Sequence, residues 1–167
     1  MEQSMNQEIP QVVVIGVGNE YRGDDGVGII VARRLAKLNL PGVSVIESRS
    51  DATELMRIWS GAGAVVLIDA IRAGIDPGTV MKFDLSRDEI PARYFSHTTH
   101  SFGVMEAVRL ARSLGELPVN LKLFGIEGEK FDARVGLTPL VDKVSREIVD
   151  KIALECDKLL SSAIHRG

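Results

Sequence analysis

Three acidic side chains share one glycine-rich turn. The stretch VIGVGNEYRGDDGVG, Val14 to Gly28, carries Glu20, Asp24 and Asp25. A fourth carboxylate, Asp69, falls near the end of the apolar run AVVLIDAI, and FSHTTHSFG sets His97 and His100 ahead of a helical pattern. Carboxylate oxygens and a neutral imidazole together suit a divalent cation of borderline softness, such as nickel or zinc. A three-ligand set leaves coordination positions open for water or a substrate group. Asp25, Asp69 and His100 are the trio that this chemistry selects. Taken singly, each has a plainer reading: Asp25 as a helix cap, Asp69 as a strand-end residue bonded to backbone, His100 as a capping or surface histidine. Glu20 is a reserve ligand or a solvated loop charge, and with Asp24, Glu47 and Arg49 it forms the set that a substrate loop would meet. His97 reads as a surface or supporting group, and His165, in the tail, as inert.

Rival chemistries fit less well. A dinucleotide fingerprint G-x-G-x-x-G would start at Gly16 and Gly18, but position 21 is Tyr, and no Gly-Lys-Ser/Thr follows the turn. Carboxylates within a few ångströms of a pyrophosphate would each cost on the order of 1–4 kcal/mol at surface-like dielectric. The sequence has no G-x-S-x-G elbow and no H-E-x-x-H. The single cysteine, Cys156, excludes a disulfide framework and a Cys-rich zinc site, and it shares an apolar helical stripe with Ile152 and Leu159, which predicts core packing.

The elements that must position these groups follow from the hydrophobic pattern. VVVIG (Val12 to Gly16) and AVVLIDAI (Ala64 to Ile71) are too uniformly apolar to have a wet face and read as buried strands. PGVSVIE, PGTVMKFDL and LKLFGIEG supply strands two, four and five. Helical stripes run through Val27, Ile30, Val31, Leu35 and Leu38, through Val104, Ala107, Val108, Ala111 and Leu114, and through Val141, Val144, Ile148 and Ile152. Asp24 or Asp25 is placed to cap the first helix, Asp51 with Glu54 resembles a capping box on the short helix DATELMRIW, and Thr138 precedes Pro139 at the head of the last helix. This alternation predicts a single α/β domain, a three-layer sandwich with a twisted, mostly parallel five-stranded sheet and helices on both faces. In such a sheet ligands bind beyond the carboxyl ends of the strands, where the chain order reverses.

Bulk properties bound the partners. The 167 residues, 45% hydrophobic, make one domain with a real core, and residues 1–11 (MEQSMNQEIPQ) read as a flexible polar leader rather than a signal peptide. Net charge is −3, from 23 acidic and 20 basic side chains with no basic block, so neither nucleic acid nor an anionic membrane is expected as a partner. No apolar stretch approaches the roughly 18 residues that span a bilayer. A cytoplasmic enzyme or binding protein is the expectation.

In its motifs the chain resembles the nickel–iron hydrogenase maturation endopeptidases. The resemblance rests on Gly16-Val17-Gly18-Asn19 followed by Asp24-Asp25-Gly26-Val27-Gly28, on Ile68-Asp69-Ala70, on Pro77-Gly78-Thr79, on His100 before a long helix, and on Gly136-Leu137-Thr138-Pro139. It covers the chain from about Val12 to the final helix. It implies removal of a short C-terminal extension from the hydrogenase large-subunit precursor after nickel insertion, with Asp25, Asp69 and His100 as metal ligands. It also implies that the nickel arrives with the precursor and need not be a resident cofactor; by ligand softness, zinc or another divalent ion can substitute. Family members often carry Asp-Gly-Gly-Thr after strand two, whereas here the residues are Glu47-Ser48-Arg49-Ser50. Gly26 and Gly28 are expected to keep the helix start clear for the precursor tail. A self-sufficient metallohydrolase, a nucleotide-binding α/β protein and a non-catalytic docking factor remain as alternatives.

Overall fold

The computed structural model describes residues 12–49, 51–94 and 99–164. The leader, His97 and His165 lie outside the described residues. In chain order the elements are β1 (Val12–Val17), α1 (Val27–Ala36), β2 (Val43–Ser48), α2 (Ala52–Trp59), β3 (Ala64–Ile71), β4 (Val80–Asp84), α3 (Thr99–Leu114), β5 (Leu121–Glu127) and α4 (Pro139–Ile164). A 3-10 turn, Gly23–Gly26, precedes α1. The strands pair in the order β2-β1-β3-β5-β4, parallel except for β4, which lies antiparallel to β5 at one edge.

Both apolar runs are buried along their whole length because the sheet is covered on both faces. Strand alternation sorts their side chains. Val12, Val14, Val66 and Ile68 pack with Val31, Leu35, Ile148 and Ile152 of α1 and α4. Val13, Ile15, Val65 and Leu67 pack with Leu55, Trp59, Val104 and Val108 of α2 and α3. Each fully buried Ile or Leu contributes roughly 1.5–3 kcal/mol of transfer free energy, so these two layers fix the sheet on which the loops stand. Cys156 is fully buried in the first layer, as its stripe predicts.

Of the expected caps, Asp51 is in place, its side chain accepting a hydrogen bond from the Glu54 N–H at 2.9 Å. The Glu54 carboxylate accepts from the Ser48 hydroxyl at 3.2 Å. At α1 the expectation fails: Gly26 occupies the cap position and no side-chain cap bond is made. The physical reason is that Asp24 has stronger calls on its oxygens from another loop, described below. Among the described residues no helix is long and apolar enough to cross a membrane.

Candidate functional site

β1 lies between β2 and β3, so the chain leaves β1 for one neighbour and later returns on its other side. The crevice at the carboxyl ends of β1 and β3 is therefore the switch point of the sheet. Asp25 and Asp69 both lie at this end and are nearly completely buried, at 3% and 1% exposure. Gly16 pairs with Ile68, which brings Asp69 level with the last residue of β1. The 3-10 turn bearing Asp25 rests against β3. Along β3, Asp69 alternates onto the same face as Leu67 and Ile71, the face covered by α2 and α3.

His100 is the second residue of α3; its side chain lies outside what the structure describes. The direction of α3 is nonetheless fixed. Arg112, near its far end, donates to the Leu85 carbonyl just past β4 at 3.1 Å, so α3 starts at the end of the sheet that holds the carboxylates. Among the described residues no three His, Cys, Asp or Glu side chains are grouped to hold a metal ion, and the His100 imidazole is not one of those residues.

The glycines of the turn act differently from the expectation. A Cβ on Gly28 would strike the backbone carbonyls of Ile68 and Val17, and one on Gly26 would lie 2.7 Å from the Cα of Glu20. They allow α1 to sit directly on the β1–β3 seam; they do not hold open a path for a tail. Gly18, at φ 149°, lets the Asp25 carbonyl approach closer than any side chain would permit. Asn19 N–H donates to that same carbonyl at 3.3 Å.

Asp24 is corrected from a substrate-facing residue to a buried tie. It is 0% exposed, and its two oxygens accept from Glu129 N–H (2.8 Å), Lys130 N–H (3.0 Å), Thr138 N–H (2.7 Å) and the Thr138 hydroxyl (3.1 and 2.9 Å). Thr138, for its part, uses its hydroxyl on Asp24, while its carbonyl accepts the Asp142 N–H at the head of α4. Sequence reasoning also passed over Glu127 at the end of β5. This buried carboxylate accepts from the Ala73 and Gly74 N–H groups at 2.8 and 3.1 Å and holds the β3–β4 loop.

On the β2 side of the turn lies an open groove of about 360 Å³, lined in part by Gly18, Glu20, Arg33, Glu47, Arg49 and Glu54. Arg33 on α1 pairs with Glu20 at 2.8 Å and with Glu47 at 2.8 Å. The hydrogen bond from Arg33 holds the Glu20 carboxyl below its ordinary range, and the Glu20 and Glu47 bonds push the Arg33 guanidinium upward. Glu20 is thus engaged by Arg33. Arg49 is exposed on the same groove and makes no ion pair among the described residues. A second cavity, about 440 Å³ and lined by Met56, Trp59, Leu117 and Pro118, lies at the opposite end of the sheet. It is the larger, but the buried carboxylates are not there. Cys156 is no nucleophile: burial pushes its thiol up to about 11.

A family model described as HycI, hydrogenase maturation protease, matches residues 29–155. The hydrogenase 2 maturation protease of Escherichia coli is 27% identical over 146 residues, covering 85% of this chain and 88% of its own. Among solved structures, the hydrogenase maturating endopeptidase HybD from E. coli superimposes with a TM-score of 0.71 at 23% identity, over 85% of this chain and 89% of that one. The [NiFe] hydrogenase maturation protease HybD from Thermococcus kodakarensis gives 0.68 at 22% identity, over 87% and 99%. These structures share the fold described above.

Proposed function

The chain belongs to the hydrogenase maturation protease family, a family of peptidases, and from that premise we propose that it removes a C-terminal extension from a nickel–iron hydrogenase large-subunit precursor once nickel is in place. The nickel belongs to the substrate. Asp25, Asp69 and His100 engage its free coordination positions, which orients the scissile peptide and positions or polarises a water for attack. Two carboxylates and an imidazole are an apt donor set for such an ion. The observation that supports the reading is that Asp25 and Asp69 are both buried at the carboxyl end of β1 and β3, and that α3, whose second residue is His100, starts at that end.

Recognition by ligation gives the enzyme a physical check on loading, because a metal-free precursor lacks the anchoring bonds. The groove beside Gly18 receives the polypeptide next to the cut, with Glu47 and Arg49 facing it and Ser48 and Arg49 standing where the family's motif has glycines. The test is mass spectrometry of nickel-loaded and metal-free precursor after incubation with wild type, Asp25→Asn and His100→Ala. Trimming of the loaded precursor by wild type alone is expected. Equal trimming of both precursors, or full activity in His100→Ala, overturns the metal-engagement reading.

A further inference from the structure

The backbone of the Asp24-Asp25 pair is tied in two directions. The Asp25 N–H donates to the Arg22 carbonyl at 3.2 Å and its carbonyl accepts from Asn19, both within its own loop. Bonds from the turn to a distant segment pass through its neighbours. Gly23 N–H donates to the Arg134 carbonyl and Asp24 N–H to the Lys130 carbonyl, each at 2.9 Å, while Arg134 N–H returns a bond to the Tyr21 carbonyl at 3.1 Å. The Asp24 carboxylate closes this zipper with donors from Glu129, Lys130 and Thr138. A Cβ added to Gly128 would strike the Phe131 ring and come within 3.0 Å of the Asp24 Cβ.

We propose that Asp24 and Thr138 are positioning residues for the cleavage reaction, their buried contact locking the 128–138 loop onto the 3-10 turn and so fixing Asp25 beside Asp69. This rests on the functional reading above. A carboxylate that takes donors from two directions, Glu129 and Lys130 on Oδ2 and Thr138 N–H on Oδ1, cannot rotate without losing charge-assisted bonds in a dry setting. Because Asp24 and Asp25 are consecutive in one tight turn, freezing the first sets the direction of the second. Misplacement of a reacting group by about 1 Å costs up to ~100-fold in rate, which makes such a lock matter for turnover.

Thr138→Val removes only the hydroxyl and keeps the shape, leaving three backbone donors on Asp24; Thr138→Ser restores the hydroxyl. With nickel-loaded precursor, Thr138→Val is expected to lower kcat roughly tenfold with KM within about twofold of wild type, and Thr138→Ser to recover most of the loss. Amide hydrogen exchange supplies a readout independent of cutting: residues 23–25 and 129–130 exchange roughly tenfold faster in Thr138→Val while β1, β3 and β5 stay protected. Wild-type kcat in Thr138→Val, or an equal loss in Thr138→Ser, overturns the proposal, as does unchanged exchange at Asp25. If wild type itself leaves the precursor whole, it is the functional reading that fails, and the exchange arm still reports on the lock.

Discussion

The loop that delivers Asp25 is held on its two flanks by different physics. On the β2 side, Glu20 and Glu47 grip Arg33 across an open groove, and all three side chains are 34–45% exposed. Water and salt screen such pairs, so they hold the groove wall in a preferred arrangement without making it rigid. On the α4 side, the Asp24 carboxylate is fully buried and meets donors from three residues. Removing one member of such a set leaves buried N–H groups unpaired, which is far more costly than the bond itself is worth. The contrast separates two tasks. On the proposed function, the stiff flank keeps Asp25 in place, and the soft flank is able to adjust to the polypeptide that enters the groove.

Breaking the stiff flank outright has the largest expected effect. Asp24→Ala strands the N–H groups of Glu129, Lys130 and Thr138 and is expected to destabilise the fold by about 3 kcal/mol, read from urea unfolding at unchanged m-value. A loss under about 1 kcal/mol would mean that water replaces the carboxylate, and the contrast between flanks would vanish. Next comes the seam beneath both flanks. Gly28→Ala pushes a methyl into the carbonyls of Val17 and Ile68 and is expected to cost about 1–3 kcal/mol through overpacking, visible as a lowered Tm.

The soft flank should respond in function more than in stability. Arg33→Ala releases Glu20 and Glu47, and its Tm is expected to stay within about 2 °C of wild type while KM for precursor rises a few-fold. A large drop in Tm would show that the exposed network is structural after all. The smallest effect is a pH dependence. Arg33 holds the Glu20 carboxyl below its ordinary value of 4.5, so the pair stabilises the fold above about pH 4.5 and that contribution fades as acid protonates the carboxylate. Glu20→Gln should therefore narrow the stability difference between pH 7 and pH 3, slightly but in that direction; a widened difference would refute the assignment.

The sheet was readable because its signal is local. Val12 to Gly16 and Ala64 to Ile71 announce buried strands by composition, and Asp51 caps α2 through a partner three residues away. The reversed direction of β4 was not readable, since alternation along a strand carries no sign of which way its neighbour runs. Within the site, identical neighbours hid which aspartate ties the distant loop. Asp24 and Asp25 look alike in a string of letters, and the partner that distinguishes them, Thr138, stands 114 positions later. Thr138 was itself masked by a plausible local role ahead of Pro139. Gly28 was misjudged for the same reason: the carbonyls it faces come from two strands, one of them forty residues away.

The inverted edge strand has a consequence for where a histidine can stand. β4 runs from the carboxylate end of the sheet to the opposite end, and β5 must begin again at that opposite end. A helix leading into β5 therefore has to start high and descend, so Asp84 and Thr99 stand at opposite ends of the sheet. Fourteen residues can stretch at most ~50 Å, about twice the ~24 Å rise of a sixteen-residue helix. The start of α3, and the backbone of His100 with it, is thus reached by a tether with about twofold slack. Only a tether of fewer than about seven residues would fall short of that height and pull the start of α3 away from the carboxylates, with every candidate ligand still present in the sequence.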